Sequence, residues 1–289
     1  MNSKLILGTV QFGLDYGINN TIGKPKKDEV LSLLKIAYNS GIRVLDTAEA
    51  YGNAHQLIGN YHKKQGDFKF EIITKFPHHI KHNLIKSKVI EYLDLMNVNA
   101  LDVMMFHSYD SFQSNYNSLN TLNELKSDGL IKNIGVSVYT NAQLESLLNK
   151  DLITVVQLPF NLLDNFNVRG DLINNLKEKG KIIHTRSAFL QGLFFKKSSD
   201  DMLIVKSLKS QLEILKEITK KQACSMEELA LGYCISQKNI DKVIIGVDSI
   251  SQLNDNIKAS SYEVNEEAIN CINSIDVENL DLLNPSLWK

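Results

Sequence analysis

The chain has 289 residues, of which 43% are hydrophobic and 22% are charged, and its 32 Lys and Arg nearly balance 33 Asp and Glu, giving a formal net charge of −1. These proportions are ordinary for a globular protein and exclude wholesale disorder and a fibrous fold. The charge balance lacks the basic excess of a nucleic-acid-binding protein. Apolar runs such as residues 103–106 are far shorter than a membrane span requires. We therefore expect neither a nucleic-acid partner nor a membrane partner.

The cysteines and the amino-terminal residues indicate the cellular compartment. Cys224, Cys234 and Cys271 lie far apart in the sequence and form no CxxC pattern. Such a sparse, odd set fits a reducing compartment and argues against a disulfide framework and a zinc site. Residues 1–8 lack the apolar core and small-residue cleavage site of a secretory signal. We expect a cytoplasmic protein without a bound metal.

Eight short apolar runs, rich in β-branched residues, are predicted to be strands. In chain order they cover residues 4–7, 43–46, 71–75, 103–107, 133–137, 155–157, 181–185 and 243–246. Each run is almost wholly apolar rather than alternating, which is typical of a parallel sheet that helices cover on both faces. Between the runs, apolar residues recur at spacings of three and four, as in Val30, Leu33, Leu34 and Ala37, and this spacing predicts helices.

The regular alternation of strands and helices predicts an α/β protein with a (β/α)8 TIM barrel. We expect a single domain over residues 1–289, with a carboxyl-terminal tail at residues 280–289. An open, doubly wound sheet is the alternative. In a barrel, functional side chains lie at the carboxyl ends of the strands, so they should occur at or just after the last residue of each run.

Four residues with useful chemistry occupy such positions. Asp46 ends the second run, Tyr51 follows it, Lys75 ends the third and His107 ends the fourth. A phenol has an ordinary pKa of about 10 and donates protons poorly at neutral pH. A nearby ammonium lowers that pKa, and a carboxylate keeps the ammonium charged. Together with an imidazole that orients a substrate oxygen, these groups form a general acid aimed at a carbonyl.

Each of the four residues also has a simpler interpretation. Asp46 could cap the following helix, and Tyr51 could pack in a loop or lie on the surface. Lys75 could be solvated, and His107 could be a buried imidazole with its hydrogen bonds satisfied. The occurrence of all four at consecutive strand ends favours the catalytic interpretation.

The segment GIRVLDTAEAYG at residues 41–52 resembles the signature of the aldo/keto reductase family around its catalytic Asp and Tyr. Lys75 and His107 match the Lys and His of that family, and the resemblance runs from residue 7 to Asn256. It implies a (β/α)8 barrel and hydride transfer between a nicotinamide cofactor and a carbonyl or alcohol. Tyr51 would be the acid in reduction and the base in oxidation, with its pKa lowered by Lys75 paired to Asp46, and His107 would orient the substrate.

The resemblance also implies a set of cofactor-binding residues. Ser137 and Gln157 would hold the nicotinamide amide, and Asp255 and Asn256 would hold the adenine. Arg186 stands where the family commonly has a Tyr that stacks on the nicotinamide; a guanidinium there would disfavour the oxidised, cationic ring. Alternatively, Arg186 turns away to a phosphate or a carboxylate. The full predicted set is Gly8, Thr9, Ser137, Gln157, Arg186, Ser187, Gly246, Gln252, Asp255 and Asn256.

The choice between the two dinucleotides depends on the eighth strand and the residues after it. Phosphate-selective members carry a Lys and an Arg where this chain has Gly246 and Gln252. Gln cannot form the bidentate, charge-assisted bonds that Arg makes with a 2′-phosphate, and Asp248 would repel that phosphate if it pointed inward. The family habit favours NADP(H), and NAD(H) or dual use remains the alternative.

The substrate pocket is predicted from aromatic and polar residues near the strand ends. These are Phe12, Tyr16, Phe76, Tyr109, Phe160, Asn161 and, in the tail that would cover the pocket, Trp288. The alternative for each aromatic residue is a place in the hydrophobic core. Such a pocket would suit a small carbonyl compound, a sugar or a nucleotide-sugar intermediate, and the chain resembles bacterial family members that accompany surface-sugar biosynthesis. We expect a monomer or a homodimer.

Two other functions are compatible with a barrel. A cofactor-binding regulatory or redox-sensing protein would keep the barrel and the four residues but turn over little substrate. A lyase or isomerase of unrelated chemistry is disfavoured, because the sequence lacks a metal-ligand cluster and contains the four matched residues.

Overall fold

The computed structural model describes residues 4–20, 23–66, 68–197 and 199–288. Residues 1–3 and residue 289, at the ends of the predicted domain, lie outside the described residues. These residues contain eight strands, and each strand boundary falls within two residues of the prediction. They are β1 (Leu5–Gly8), β2 (Val44–Asp46), β3 (Glu71–Lys75), β4 (Leu101–Phe106), β5 (Ile131–Ser137), β6 (Val155–Pro159), β7 (Ile182–Arg186) and β8 (Lys242–Ile245).

The strands form one closed parallel barrel in chain order. Closure is decided by β1, which pairs in parallel with β2 and also with β8. The registers Leu7↔Leu45 and Leu7↔Ile245 place one β1 residue beside both neighbours. The predicted (β/α)8 barrel is therefore confirmed, and the open doubly wound sheet is excluded.

Helices connect successive strands on the outside of the barrel. The α-helices are α1 (Val10–Gly13), α2 (Lys27–Asn39), α3 (Ala54–Gln65), α4 (Ile85–Met96), α5 (Tyr109–Ser114), α6 (Leu119–Ser127), α7 (Asn141–Leu147), α8 (Phe166–Glu178), α9 (Leu203–Ser207), α10 (Lys209–Gln222), α11 (Met226–Ser236), α12 (Ile250–Ala259) and α13 (Glu266–Asn273). Short 3-10 helices cover His82–Leu84, Tyr116–Ser118, Leu190–Phe195, Leu280–Leu283 and Pro285–Leu287.

Local sequence explains where the helices begin and end. In α2 the predicted residues Val30, Leu33, Leu34 and Ala37 are all buried, and the chain leaves the helix through Gly41, whose φ is +89°. Such a φ favours glycine because a Cβ is strained there. None of the helices within the described residues is long and apolar enough to cross a membrane.

The core has two layers, which the closed barrel separates. The main layer lies between the strands and the surrounding helices. A smaller cluster fills the inside of the barrel, as expected for a packed barrel interior. Its members are Ile6, Val44, Ile73, Val103, Met105, Val155 and Ile244, with Ile182 packed against them.

Candidate active site

A cavity of about 890 Å³ opens at the carboxyl ends of the strands. Every residue that the sequence predicted to be catalytic or cofactor-binding lines it. They are Asp46, Tyr51, Lys75 and His107, together with Gly8, Thr9, Ser137, Gln157, Arg186, Ser187, Gly246, Gln252, Asp255 and Asn256. The structure thus brings all of these residues to one cavity.

The pleat of the strands explains this convergence. Side chains alternate between the two faces of a strand, so residues two apart point the same way. Ile6, Val44 and Ile73 point into the barrel, and two residues further along the same strands come Gly8, Asp46 and Lys75. The same step leads from interior positions to three more of the predicted residues: from Met105 to His107, from Val155 to Gln157 and from Ile244 to Gly246.

Asp46 and Lys75 form a buried ion pair at the bottom of the cavity. Lys75 Nζ lies 2.5 Å from Asp46 Oδ1, and the two residues are 1% and 4% exposed. Lys75 also donates to the carbonyl of Thr47 at 3.2 Å, and Gln157 Nε2 donates to Asp46 Oδ2 at 2.8 Å. Both carboxylate oxygens of Asp46 are therefore used, which is the condition under which a buried pair is tolerated.

Tyr51 is held next to this pair by two glycines. A Cβ on Gly13 would lie 1.7 Å from the carbonyl oxygen of Tyr51, and a Cβ on Gly52 would lie 2.5 Å from the carbonyl oxygen of Gly13. Gly52 also has a φ of +57°. The backbone of α1 can approach the Tyr51 loop this closely only because both positions lack a side chain. Lys75 Nζ is consequently 5.4 Å from the centroid of the Tyr51 ring.

The pKa of Tyr51 differs from the sequence-based expectation. We expected the Lys75 ammonium to lower it, but burial of the phenol raises the pKa, and the negative charge of Asp46 raises it further. The reason is that the ammonium lies against Asp46, so the pair places both charges near the phenol. The expected lowering is therefore wrong, and Tyr51 is a protonated phenol at neutral pH.

His107 presents a neutral imidazole to the cavity. Burial, together with the positive charges of Lys75, His78 and Arg186, lowers the pKa of His107 to about 3. Its ring stacks on that of His78 with centroids 4.4 Å apart and meets the Tyr51 ring edge-on at 5.8 Å. Within the described residues, the buried His107 Nδ1 has no hydrogen-bond partner. A neutral imidazole beside the phenol can donate one hydrogen bond to a substrate oxygen.

Arg186 stacks on a neighbouring aromatic side chain. Its guanidinium lies 4.0 Å above the centroid of the Tyr139 ring, and Nη2 donates to the carbonyl of Val138 at 3.1 Å. The side chain still lines the cavity. After Arg186, which ends β7, the chain enters a strained loop in which Ser187, Leu190 and Gln191 all have positive φ values. Backbone strain of this kind often accompanies functional sites.

The predicted substrate wall is only partly correct. Tyr16 and Tyr109 line the cavity, whereas Phe12, Phe76 and Phe160 have no exposed surface and belong to the main core. Phe76 follows the inward-facing Lys75 and so points to the helix layer, where its ring centroid lies 6.0 Å from that of Phe106. Phe160 stacks on Tyr233 at 5.5 Å.

Asn161 and Trp288, also predicted for the pocket wall, have structural contacts instead. Asn161 is fully buried; its side-chain oxygen accepts from the backbone N–H groups of Leu163 and Asp164, and its amide donates to the carbonyl of Ser187. It thereby ties the loop after β6 to the loop after β7. Trp288 packs against the main core and donates to the carbonyl of Leu282 at 2.9 Å. Another residue of the tail, Ser286, reaches the cavity.

Comparison with known proteins agrees with this site. The model of the aldo/keto reductase family matches residues 4–277. The chain belongs to the aldo/keto reductase family. Relatives of this aldo/keto reductase include the NADH-specific methylglyoxal reductase of Escherichia coli, 21% identical over 80% of this chain and 82% of that protein, and L-galactose dehydrogenase of Arabidopsis thaliana, 24% identical over 89% and 86%.

A solved structure supports the fold of this aldo/keto reductase. The holo form of an aldo-keto reductase from Bacillus halodurans has a TM-score of 0.78 to it at 19% identity, covering 96% of this chain and 95% of that one. At that identity the likeness concerns the fold. The family assignment establishes an oxidoreductase that uses a nicotinamide cofactor.

Sequence reasoning missed several residues of this aldo/keto reductase that line the cavity. Gln11, His78, Tyr139 and Glu227 are the main ones. Gln11 and His78 had a usable signal, because each follows the end of a strand by three residues, on β1 and β3 respectively. Tyr139 follows β5 by two residues, so it could have been found in the same way. Glu227 lies at the start of α11, and nothing in its local sequence indicates the cavity.

Proposed function

We propose that this protein is an NAD(P)(H)-dependent carbonyl reductase or alcohol dehydrogenase in which Tyr51 transfers the proton. The observation that carries the proposal is the meeting of Asp46, Tyr51, Lys75 and His107 in one cavity with the ten predicted cofactor-binding residues. A phenol, an ammonium, a carboxylate and an imidazole are the groups needed to polarise a carbonyl and protonate it.

Each of the four residues has a part that its contacts support. Tyr51 is protonated at neutral pH, which is the form that an acid must have before reduction begins. As its proton leaves, the developing phenolate is stabilised by the ammonium of Lys75, which Asp46 holds in place. His107 is neutral, so it donates a hydrogen bond to the substrate oxygen without adding a charge.

The residues present fit a nicotinamide dinucleotide. Gly246 lets the side chain of Gln11 lie against the end of β8, since a Cβ there would come within 2.5 Å of Gln11 Nε2. Gln11 Oε1 and Asp248 Oδ1 are buried and have no partner within the described chain, as expected of groups that a ligand satisfies. A bound nicotinamide would supply or accept the hydride. Ser137 and Gln157 would hold its amide, and Gln157 would connect that site to Asp46 through its own amide.

The substrate we propose is a polar carbonyl compound such as a sugar or a sugar-derived aldehyde. Four of the six aromatic residues expected for the wall lie outside the cavity, and Tyr109, Phe189 and Phe195 line it together with hydrogen-bonding groups at its mouth. Asn19, Asn20, Tyr16 and Gln191 lie there, and Gln191 donates to the Tyr16 hydroxyl at 2.8 Å. Two relatives named for their activity, on methylglyoxal and on L-galactose, also act on oxygen-rich molecules.

Replacement of Tyr51 by Phe tests the proposal. The purified protein is given NADH or NADPH with a panel of aldehydes and sugars, and cofactor oxidation is followed by absorbance. We expect turnover to fall by about 10²–10⁴-fold in Tyr51→Phe, because the proton donor is lost. Tyr139→Phe removes a second phenol from the same cavity but keeps the ring under Arg186, and it should change turnover by less than about threefold.

Two results would contradict the proposal. Equal turnover by Tyr51→Phe and the native protein would exclude Tyr51 as the proton donor. Tight cofactor binding without turnover of any carbonyl would instead favour a cofactor-binding regulatory protein.

A further inference from the structure

The part of the cavity next to β8 is acidic. Asp248 and Asp255 line it, and Glu227 also lines the cavity. Burial raises the pKa of the Asp248 carboxyl, and the negative charge of Asp15 raises it further. Among the described residues that line the cavity, the ammonium and guanidinium groups are those of Lys75 and Arg186. Lys75 is paired with Asp46, and Arg186 stacks on Tyr139, so both are committed elsewhere.

Asp248 is held in a fixed position by Gln252. The side-chain oxygen of Gln252 accepts from the backbone N–H of Asp248 at 2.8 Å. Gln252 also opposes the rise in the pKa of the Asp248 carboxyl. Ser249 fixes Gln252 in turn, since its hydroxyl caps α12 by accepting from the Gln252 backbone N–H at 3.2 Å. The first turn of α12 therefore holds the backbone of Asp248 through the Gln252 side chain.

One oxygen of Asp248 still lacks a partner. Oδ1 is buried, and no hydrogen-bond donor reaches it within the described residues. A buried carboxylate oxygen without a donor is unfavourable, so a ligand here should bring a donor to it. A ribose hydroxyl is such a donor, whereas a 2′-phosphate brings a charge of about −1.5 to −2 and only acceptor oxygens.

We propose that Asp248 makes this protein select NADH over NADPH, by accepting a hydrogen bond from the adenosine ribose and repelling a 2′-phosphate. The assignment rests on the proposed function, because it places a dinucleotide in the cavity. It reverses the preference for NADP(H) that the family habit suggested. The reason is local: no cation of the described cavity lining is free at β8 to meet the phosphate, and Gln252 is turned to Asp248.

Equilibrium binding tests the proposal without depending on turnover. Calorimetric titration would compare the binding of NADH with that of NADPH. It would also compare ADP-ribose with its 2′-phosphorylated form, two fragments that contain the adenosine end of the dinucleotides and lack the nicotinamide. We expect the form without the 2′-phosphate to bind at least about tenfold more tightly in each pair, a difference of about 1.4 kcal/mol. The affinities of these two fragments depend on the adenosine-binding region at β8 and not on the nicotinamide site.

Asp248→Asn is the decisive variant, since it removes the charge and keeps the shape. The preference for the unphosphorylated ligands should fall by about tenfold, mainly through tighter binding of NADPH. Asp110→Asn is the matched control: Asp110 is a carboxylate that lines the same cavity after β4, on the opposite side of the barrel. It removes the same charge and should leave the preference within about twofold.

A second variant keeps the proposal testable if Asp248→Asn fails to fold, which its melting temperature would show. Gln252→Arg changes an exposed residue, frees Asp248 from its amide and adds a guanidinium, so NADPH should bind more tightly relative to NADH. Equal or tighter binding of NADPH by the native protein would overturn the proposal. So would an unchanged preference in Asp248→Asn, or an equal change in Asp110→Asn. Binding of neither dinucleotide would refute the proposed function itself.

Discussion

Replacement of Lys75 by Met separates the catalytic role of the ammonium from its role in stability. Lys75 is 1% exposed and lies 2.5 Å from Asp46, which is 4% exposed. Met keeps the unbranched, apolar part of the side chain and removes the charge. The Asp46 carboxylate then keeps its hydrogen bond from Gln157 but loses its cation.

The expected size of the effect follows from this burial. Removing one partner of a buried ion pair leaves an unpaired charge and destabilises a protein by about 3–5 kcal/mol. Turnover should fall as well, by about 10²-fold or more, because the phenolate that forms on Tyr51 would face Asp46 without a compensating cation. Cofactor binding should change little.

A double variant distinguishes the two losses. In Lys75→Met with Asp46→Asn no unpaired charge remains, so urea unfolding should return to within about 2 kcal/mol of the native protein. Carbonyl reduction should stay at least about 10²-fold below native, because the cation that stabilises the phenolate is still missing. If the double variant regained both stability and turnover, Lys75 would be a structural residue and the proposed proton route would be wrong.

Two further predictions concern Arg186 and His55. Arg186→Gln should bring the dissociation constants of the oxidised and the reduced cofactor closer to each other by about fivefold. The reason is that the guanidinium, whose repulsion is worth about 1 kcal/mol at a partly solvated site, no longer repels the oxidised nicotinamide. An unchanged ratio of the two dissociation constants would show that Arg186 stays on Tyr139 when the cofactor binds. His55 is 4% exposed, its Nε2 lies 2.9 Å from Thr74 Oγ1, and burial lowers its pKa to about 4. Between about pH 6.5 and pH 4 the unfolded chain binds a proton that the folded protein does not. The free energy of unfolding therefore decreases as the pH is lowered, by about 2 kcal/mol at pH 5 for this group. Urea unfolding at pH 7.5 and pH 5 should therefore show a smaller difference in His55→Gln than in the native protein, and an equal difference would mean that His55 does not contribute.

The sequence by itself determined the barrel and the position of the strand-end residues. Eight apolar runs separated by helices can close in parallel, and in such a barrel the last inward residue of each strand reaches one cavity. That rule places Asp46, Lys75, His107 and Gln157 together even though Gln157 is 111 residues from Asp46. Alternation also determines that Phe76, next to Lys75, faces the helices, so its misassignment to the pocket came from neglecting the pleat.

Only the tertiary structure decided the electrostatics and the partners of the side chains. Whether the Tyr51 phenol has a lowered or a raised pKa depends on its depth and on Asp46 lying beside Lys75, and spacing along the chain contains neither quantity. The stacking of Arg186 on Tyr139 joins the ends of two different strands. The lack of a donor at Asp248 Oδ1 likewise becomes visible only in the folded chain, where Gln252 of α12 bonds to the backbone N–H of Asp248 instead. The physical reason is common to all three. Burial and charge act over a few ångströms in space, and the sequence pattern predicts which residues come together but not the distances and orientations of their side chains.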